Sequence, residues 1–86
     1  MRQNATSKTA TGKADVIVET QTSVYAIEFK LDGTIEDALN QIDEKGYLAP
    51  YKNHRTESGD FKKLYKIAVN IDSKKRTIGE WKMVNG

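Results

Sequence analysis

Two short β-branched segments, separated by a few polar residues, constrain this chain more than any other feature. Ala14-Asp15-Val16-Ile17-Val18-Glu19-Thr20 and Val24-Tyr25-Ala26-Ile27-Glu28-Phe29-Lys30-Leu31 are rich in alternation. That period is the signature of strands. Thr20-Gln21-Thr22-Ser23 between them reads as a hairpin turn. With the turn centred between Gln21 and Thr22, Asp15 faces Glu28, Ile17 faces Ala26 and Glu19 faces Val24. Side chains alternate faces, so Glu28 and Lys30 share the Asp15 face. The other face reads Val16, Val18, Tyr25, Ile27, Phe29 and Leu31, an apolar wall that fixes the register.

The rest of the chain supplies one helix and a second hairpin. Asp32-Gly33 breaks the strand, Thr34 is a suitable N-cap and Asp37 sits three residues on. Ile35 to Lys45 carries Ile35, Ala38, Leu39 and Ile42 on one helical stripe, and Gly46 suits the left-handed residue that ends helices. Tyr47-Leu48-Ala49-Pro50-Tyr51 is a compact connection, in which Pro50 opposes a longer regular helix. A polar loop over 52–60 precedes a strand at Lys63–Ile71, with Tyr65, Ile67, Val69 and Ile71 on one face. Asp72-Ser73-Lys74-Lys75 turns the chain into a last strand from Arg76 to Val84. The expected order is β-β-α-β-β, an α/β (α+β) mixed sheet with the helix on one face. The helical crossover makes its flanking strands parallel.

At 86 residues the chain holds one domain, and such a domain buries only about 60% of its unfolded surface. Residues 1–11 are polar and aperiodic and read as a flexible lead-in to a domain over 12–86. Cysteine is absent, so disulfides and thiolate metal sites are excluded, and a metal here needs oxygen ligands or the lone His54. No apolar run reaches the roughly 18–20 residues that span a bilayer. The first residues lack the apolar core of a secretory signal, so a cytoplasmic setting is the default. The net charge is only +2, with basic clusters at Lys62, Lys63 and Lys66 and at Lys74, Lys75 and Arg76. Such clusters can neutralise phosphates, but solvated lysines on strand edges are the more ordinary reading.

The chemistry concentrates on the Asp15 face. Opposed carboxylates repel unless a proton or a cation lies between them. A hard divalent cation takes one or two carboxylates plus waters and substrate oxygens, polarises a phosphate and acidifies a bound water. Lys30, one strand step from Glu28, is placed to stabilise developing charge. These are the parts needed to hydrolyse a phosphodiester. The same residues also allow a plain surface ion pair between Glu28 and Lys30 beside an unrelated Asp.

Gly12-Lys13-Ala14-Asp15 and Ile27-Glu28-Phe29-Lys30-Leu31-Asp32-Gly33 resemble the core of the PD-(D/E)XK nuclease superfamily. Ala38-Leu39-x-Gln41-Ile42-x-x-Lys45-Gly46-Tyr47, then Pro50-Tyr51 and Ile78-x-x-Trp81, resemble a bacterial branch of it. In that branch a compact nuclease-like domain follows an AAA-ATPase-like region. The resemblance implies a restriction-endonuclease-like core and Mg²⁺ or Mn²⁺ as cofactor, held by Asp15, Glu28 and the Phe29 carbonyl. It implies DNA as substrate and the ATPase-like region of the same chain as a partner. Asp15, Glu28, Lys30 and Gln41 would form the catalytic set, with Lys13 and Lys45 toward the nucleic acid. Gln41 also suits a solvated helix position. Tyr47, six residues after Gln41, misses the superfamily's usual Gln-to-Tyr spacing. Ala14 stands where a Pro is usual, and no helix precedes the sheet, which marks the chain as a fragment of a longer protein. Tyr25, Tyr65 and Trp81 read as packing residues, and His54 as an exposed loop residue.

Overall fold

A computed structural model describes residues 16–86. The elements follow the expected order: β1 (Val16–Glu19), β2 (Ser23–Leu31), α1 (Ile35–Lys45), β3 (Lys63–Asp72) and β4 (Thr77–Asn85). A single 3-10 turn at Ala49–Tyr51 follows the helix, with Pro50 in its first turn. There Pro has no intrahelical partner to lose. The strands form one sheet in the order β1-β2-β3-β4. β1 and β2 are antiparallel, β2 and β3 parallel across the helical crossover, and β3 and β4 antiparallel.

The hairpin register is the one the sequence implies, with Ile17 paired to Ala26 and Glu19 to Val24. Its turn is closed by Thr20, whose Oγ1 accepts from the Ser23 amide at 3.0 Å while its own amide donates to the Ser23 carbonyl at 2.8 Å. Ser23 therefore belongs to β2 rather than to the turn. Ala14, Asp15 and the lead-in over 1–11 lie outside the described residues.

α1 starts and stops where its caps dictate. Thr34 has extended backbone and its side chain accepts from the Asp37 amide at 3.0 Å. Gly46 adopts φ 63° and ψ 38°, and the Tyr47 amide behind it donates to the Ile42 carbonyl at 3.3 Å. Between the caps, Ala38 and Ile42 are buried and Ile35 and Leu39 half-buried. Two side-chain links tie the loop after β2 to the end of β3: the Gly33 amide donates to Asn70 Oδ1 at 2.9 Å, and Ser73 donates to the Asp32 carboxylate from its amide and its hydroxyl.

The helix packs on β2 and β3, on the sheet face that carries Val24, Ala26, Glu28 and Ala68. The core is Val24, Ala26, Ile42, Tyr47 and Leu48, with Ile17, Tyr51 and Leu64 against it. The apolar wall noted in the sequence lies on the opposite face, and among the described residues no helix covers it. Val16, Val18, Phe29, Leu31, Ile78, Trp81 and Met83 are all exposed there. Tyr25 and Tyr65 stack across β2 and β3, with ring centres 5.2 Å apart. Trp81, read as a packing residue, is 66% exposed. A bulge between Asn70 and Ile71 leaves Gly79 as the extra residue of β4, which brings both Ile78 and Trp81 onto the open face.

Candidate active site

Period-two alternation places Glu28 and Lys30 on the helix-covered face, where β3 supplies Ala68 and Asn70 as their register partners. Glu28 is buried, at 4% exposure, in a neighbourhood of small side chains: Ala26 and Ala68 are completely covered. Lys30 is half-buried and its Nζ donates to Gln41 Oε1 at 2.6 Å. Gln41 Nε2 donates in turn to the Tyr47 hydroxyl at 3.2 Å. The chain Lys30–Gln41–Tyr47 thus connects the strand to the helix and to the residue beyond its C-cap. Gly33 closes against the lysine from the side: a Cβ there would meet Lys30 Cβ at 3.1 Å.

The sequence-derived set divides as follows. Glu28, Lys30 and Gln41 are gathered in one place, and Gln41 points at the site rather than to solvent. Asp15 and Lys13 lie outside the described residues. Phe29 follows Glu28 in the chain, with its side chain on the open face. Lys45 is exposed at the end of α1, where a cation is favoured by the helix dipole. The group that reaches Gln41 is Tyr47. Six residues on an unbroken helix turn Tyr47 well away from Gln41. The left-handed Gly46 redirects the chain and returns the phenol to it. Helical spacing alone does not reveal that contact; the glycine at position 46 is the signal for it.

Several other ionisable groups are engaged with one another. His54 Nδ1 lies 2.6 Å from Glu19 Oε2, and Lys62 Nζ lies 3.0 Å from the same oxygen and 2.6 Å from the Thr20 carbonyl. Half-buried His54 is therefore a hairpin contact. Its hydrogen bond, with that of Lys62, lowers the Glu19 pKa. The hydrogen bonds from Ser73 lower that of Asp32. Lys66 pairs with Asp43 at 2.8 Å. Of the first basic cluster, Lys62 and Lys66 are thus already engaged by carboxylates.

Among the described residues no cluster of three or more His, Cys, Asp or Glu could hold a metal ion. The buried Glu28 carboxylate and the Phe29 peptide carbonyl that follows it are both hard oxygen donors. Hard oxygen donors of this kind fit a hard divalent cation and not a thiophilic one. Among the described residues no helix is long and apolar enough to cross a membrane.

A family model described as the PD-(D/E)XK nuclease superfamily matches residues 3–81. The chain belongs to the PD-(D/E)XK nuclease superfamily. Its mixed four-stranded sheet with one packed helix is the α/β arrangement of a restriction-endonuclease-like core. Membership points to nuclease-type phosphodiester hydrolysis with a nucleic acid as substrate, and such nucleases generally use divalent metal ions. No curated protein and no solved structure matches the chain.

Proposed function

We propose that this chain is a Mg²⁺-dependent nuclease domain that hydrolyses phosphodiester bonds in DNA, with Mn²⁺ able to replace Mg²⁺. The observation that carries the reading is the buried Glu28 carboxylate on the same sheet face as Lys30, whose ammonium is held at 2.6 Å by Gln41. A buried carboxylate and a half-buried ammonium facing one helix-covered space are better suited to chemistry than to a surface ion pair. Asp15, Glu28 and the Phe29 carbonyl would hold the ion. When bound, it supplies a polarised phosphate and a more acidic water. Lys30 stabilises the negative charge that builds during attack, and Gln41 holds its ammonium in place. Lys13 and Lys45 contact neighbouring phosphates, an electrostatic contribution that weakens with salt.

The same reading extends to context. The chain works in the bacterial cytoplasm as part of a longer protein, with residues 12–86 attached to an AAA-ATPase-like region. A second role is favoured by the sheet face that no helix covers among the described residues. A contiguous apolar surface of this kind marks an interaction site, and the ATPase-like region is the partner assigned to it.

Cleavage of plasmid and oligonucleotide DNA in Mg²⁺ and Mn²⁺ tests the nuclease reading. Lys30→Ala should lower the rate roughly 10²–10³-fold, the usual loss for a group that stabilises transition-state charge, and Glu28→Gln should abolish the metal-dependent cleavage. Cleavage that survives Lys30→Ala unchanged removes the lysine from the mechanism. Salt-sensitive DNA binding that ignores metal, without cleavage, would replace the enzyme with a non-catalytic binding module.

A further inference from the structure

We infer that Tyr47 is a positioning residue for Lys30, acting through the side-chain amide of Gln41. The inference rests on the role given to Lys30 in the proposed reaction. Its structural part stands on four atoms of the site. The Lys30 ammonium has only donors, so it requires the oxygen end of the Gln41 amide, and the 2.6 Å contact is to Oε1. That choice leaves the Nε2 end needing an acceptor, and the Tyr47 hydroxyl accepts at 3.2 Å.

A primary amide is nearly symmetric in shape and opposite in polarity at its two ends. Turned over, Gln41 would set N–H donors against an ammonium. Lys30 and Tyr47 together hold the productive orientation, one by demanding an acceptor and the other by supplying one. Tyr47 can do this because it is itself packed in the core. It is 5% exposed, sits in the core cluster with Val24, Ala26, Ile42 and Leu48, and follows the left-handed Gly46. The phenol is a fixed point to which the flexible glutamine and, beyond it, the flexible lysine are tied.

Tyr47→Phe keeps the buried ring and removes only the hydroxyl. The experiment is a side-chain ¹⁵N relaxation measurement on the 86-residue chain, at the Gln41 amide and the Lys30 ammonium. In Tyr47→Phe both groups should become mobile, with order parameters falling to roughly below 0.6, while the backbone spectrum stays native. Unchanged order at both groups would overturn the inference. If Tyr47→Phe loses the fold, 3,5-difluorotyrosine at this position, studied in mildly acidic buffer where its more acidic phenol stays protonated, keeps the ring and weakens the acceptor, and the same comparison decides the matter.

Activity gives a separate reading. Where the chain cleaves DNA, Tyr47→Phe should lower kcat about fivefold with KM unchanged, the effect of one neutral hydrogen bond, and an unaltered kcat counts against the positioning role. Absence of cleavage by the unsubstituted chain counts against the nuclease reading alone, and the relaxation data then decide the tether.

Discussion

Replacing Gly46 with L-alanine should destabilise the domain by about 1–2 kcal/mol, and the cause should be backbone conformation rather than crowding. At φ 63° the residue sits in the left-handed region, where a Cβ approaches the following carbonyl and costs roughly 1–2 kcal/mol. Crowding contributes nothing, because the nearest atom to a Cβ built there is Ala49 Cβ at an ordinary 3.9 Å. A domain of this size has on the order of 5–10 kcal/mol of total stability. The loss therefore corresponds to a fall in Tm of about 4–16 °C. Urea unfolding followed by circular dichroism is the assay, with an unchanged m-value as the sign that the end states are the same. D-alanine, introduced by chemical synthesis, is the decisive control. It adopts positive φ freely and restricts the unfolded chain, so it should match glycine or exceed it by up to about 1 kcal/mol. Equal losses from the L and D residues would refute the conformational argument and put an unseen clash in its place. The perturbation also reaches the site, because Gly46 is the bend that returns Tyr47 to Gln41. L-alanine should loosen the Lys30–Gln41 contact beyond what the stability loss alone explains.

Ile42 is 1% exposed and central to the small core, so Ile42→Ala should cost about 2–5 kcal/mol and Ile42→Val about 0.5–1.5 kcal/mol; near-equal losses in urea titrations would show that the site collapses around the deletion. Thr34→Ala removes the acceptor for the Asp37 amide and should cost about 1 kcal/mol, with Thr34→Asp or Thr34→Ser restoring most of it. The Glu19 and Asp32 pKa values are lowered in the folded state, so their stabilising contribution is present above their unfolded values and is lost as pH falls through the folded ones. Acid unfolding should accordingly be shallower in the Glu19→Gln, Asp32→Asn double variant; an identical pH profile would remove both groups from the acid transition. Trp81→Ser, at a position 66% exposed on the open face, should change stability by no more than about 0.5 kcal/mol. A larger loss in thermal unfolding would mean that the face is covered.

The register of the first hairpin and both caps of α1 are legible in the sequence because each is set by neighbours within a few residues. Thr20 closes its turn, Thr34 caps the Asp37 amide in the first turn and Gly46 supplies the left-handed residue. Tyr47 is not legible in the same way: its contact depends on where the chain goes after a break in helical periodicity, and spacing rules apply only within an unbroken helix. The choice of which sheet face receives the helix is also hidden in the alternation. Both faces of β2 carry apolar residues, Val24 and Ala26 on one and Tyr25, Ile27, Phe29 and Leu31 on the other, so pattern alone does not rank them.

Side-chain size offers a physical ground for that choice. Val24, Ala26 and Ala68 form a shallow floor against which Ala38 and Ile42 can pack closely, and all five are buried. The opposite face, with its stacked tyrosines and Trp81, is too rough for such an approach. The same choice sets the electrostatics of the site. With the helix on the small-residue face, Glu28 is shielded from water and Lys30 half-shielded, so their fields act through a medium of low effective permittivity. On the open face an identical carboxylate and ammonium would be a screened surface pair worth little. The alanines at 26 and 68, which carry no chemistry, are thus the residues that allow the charged ones to have any.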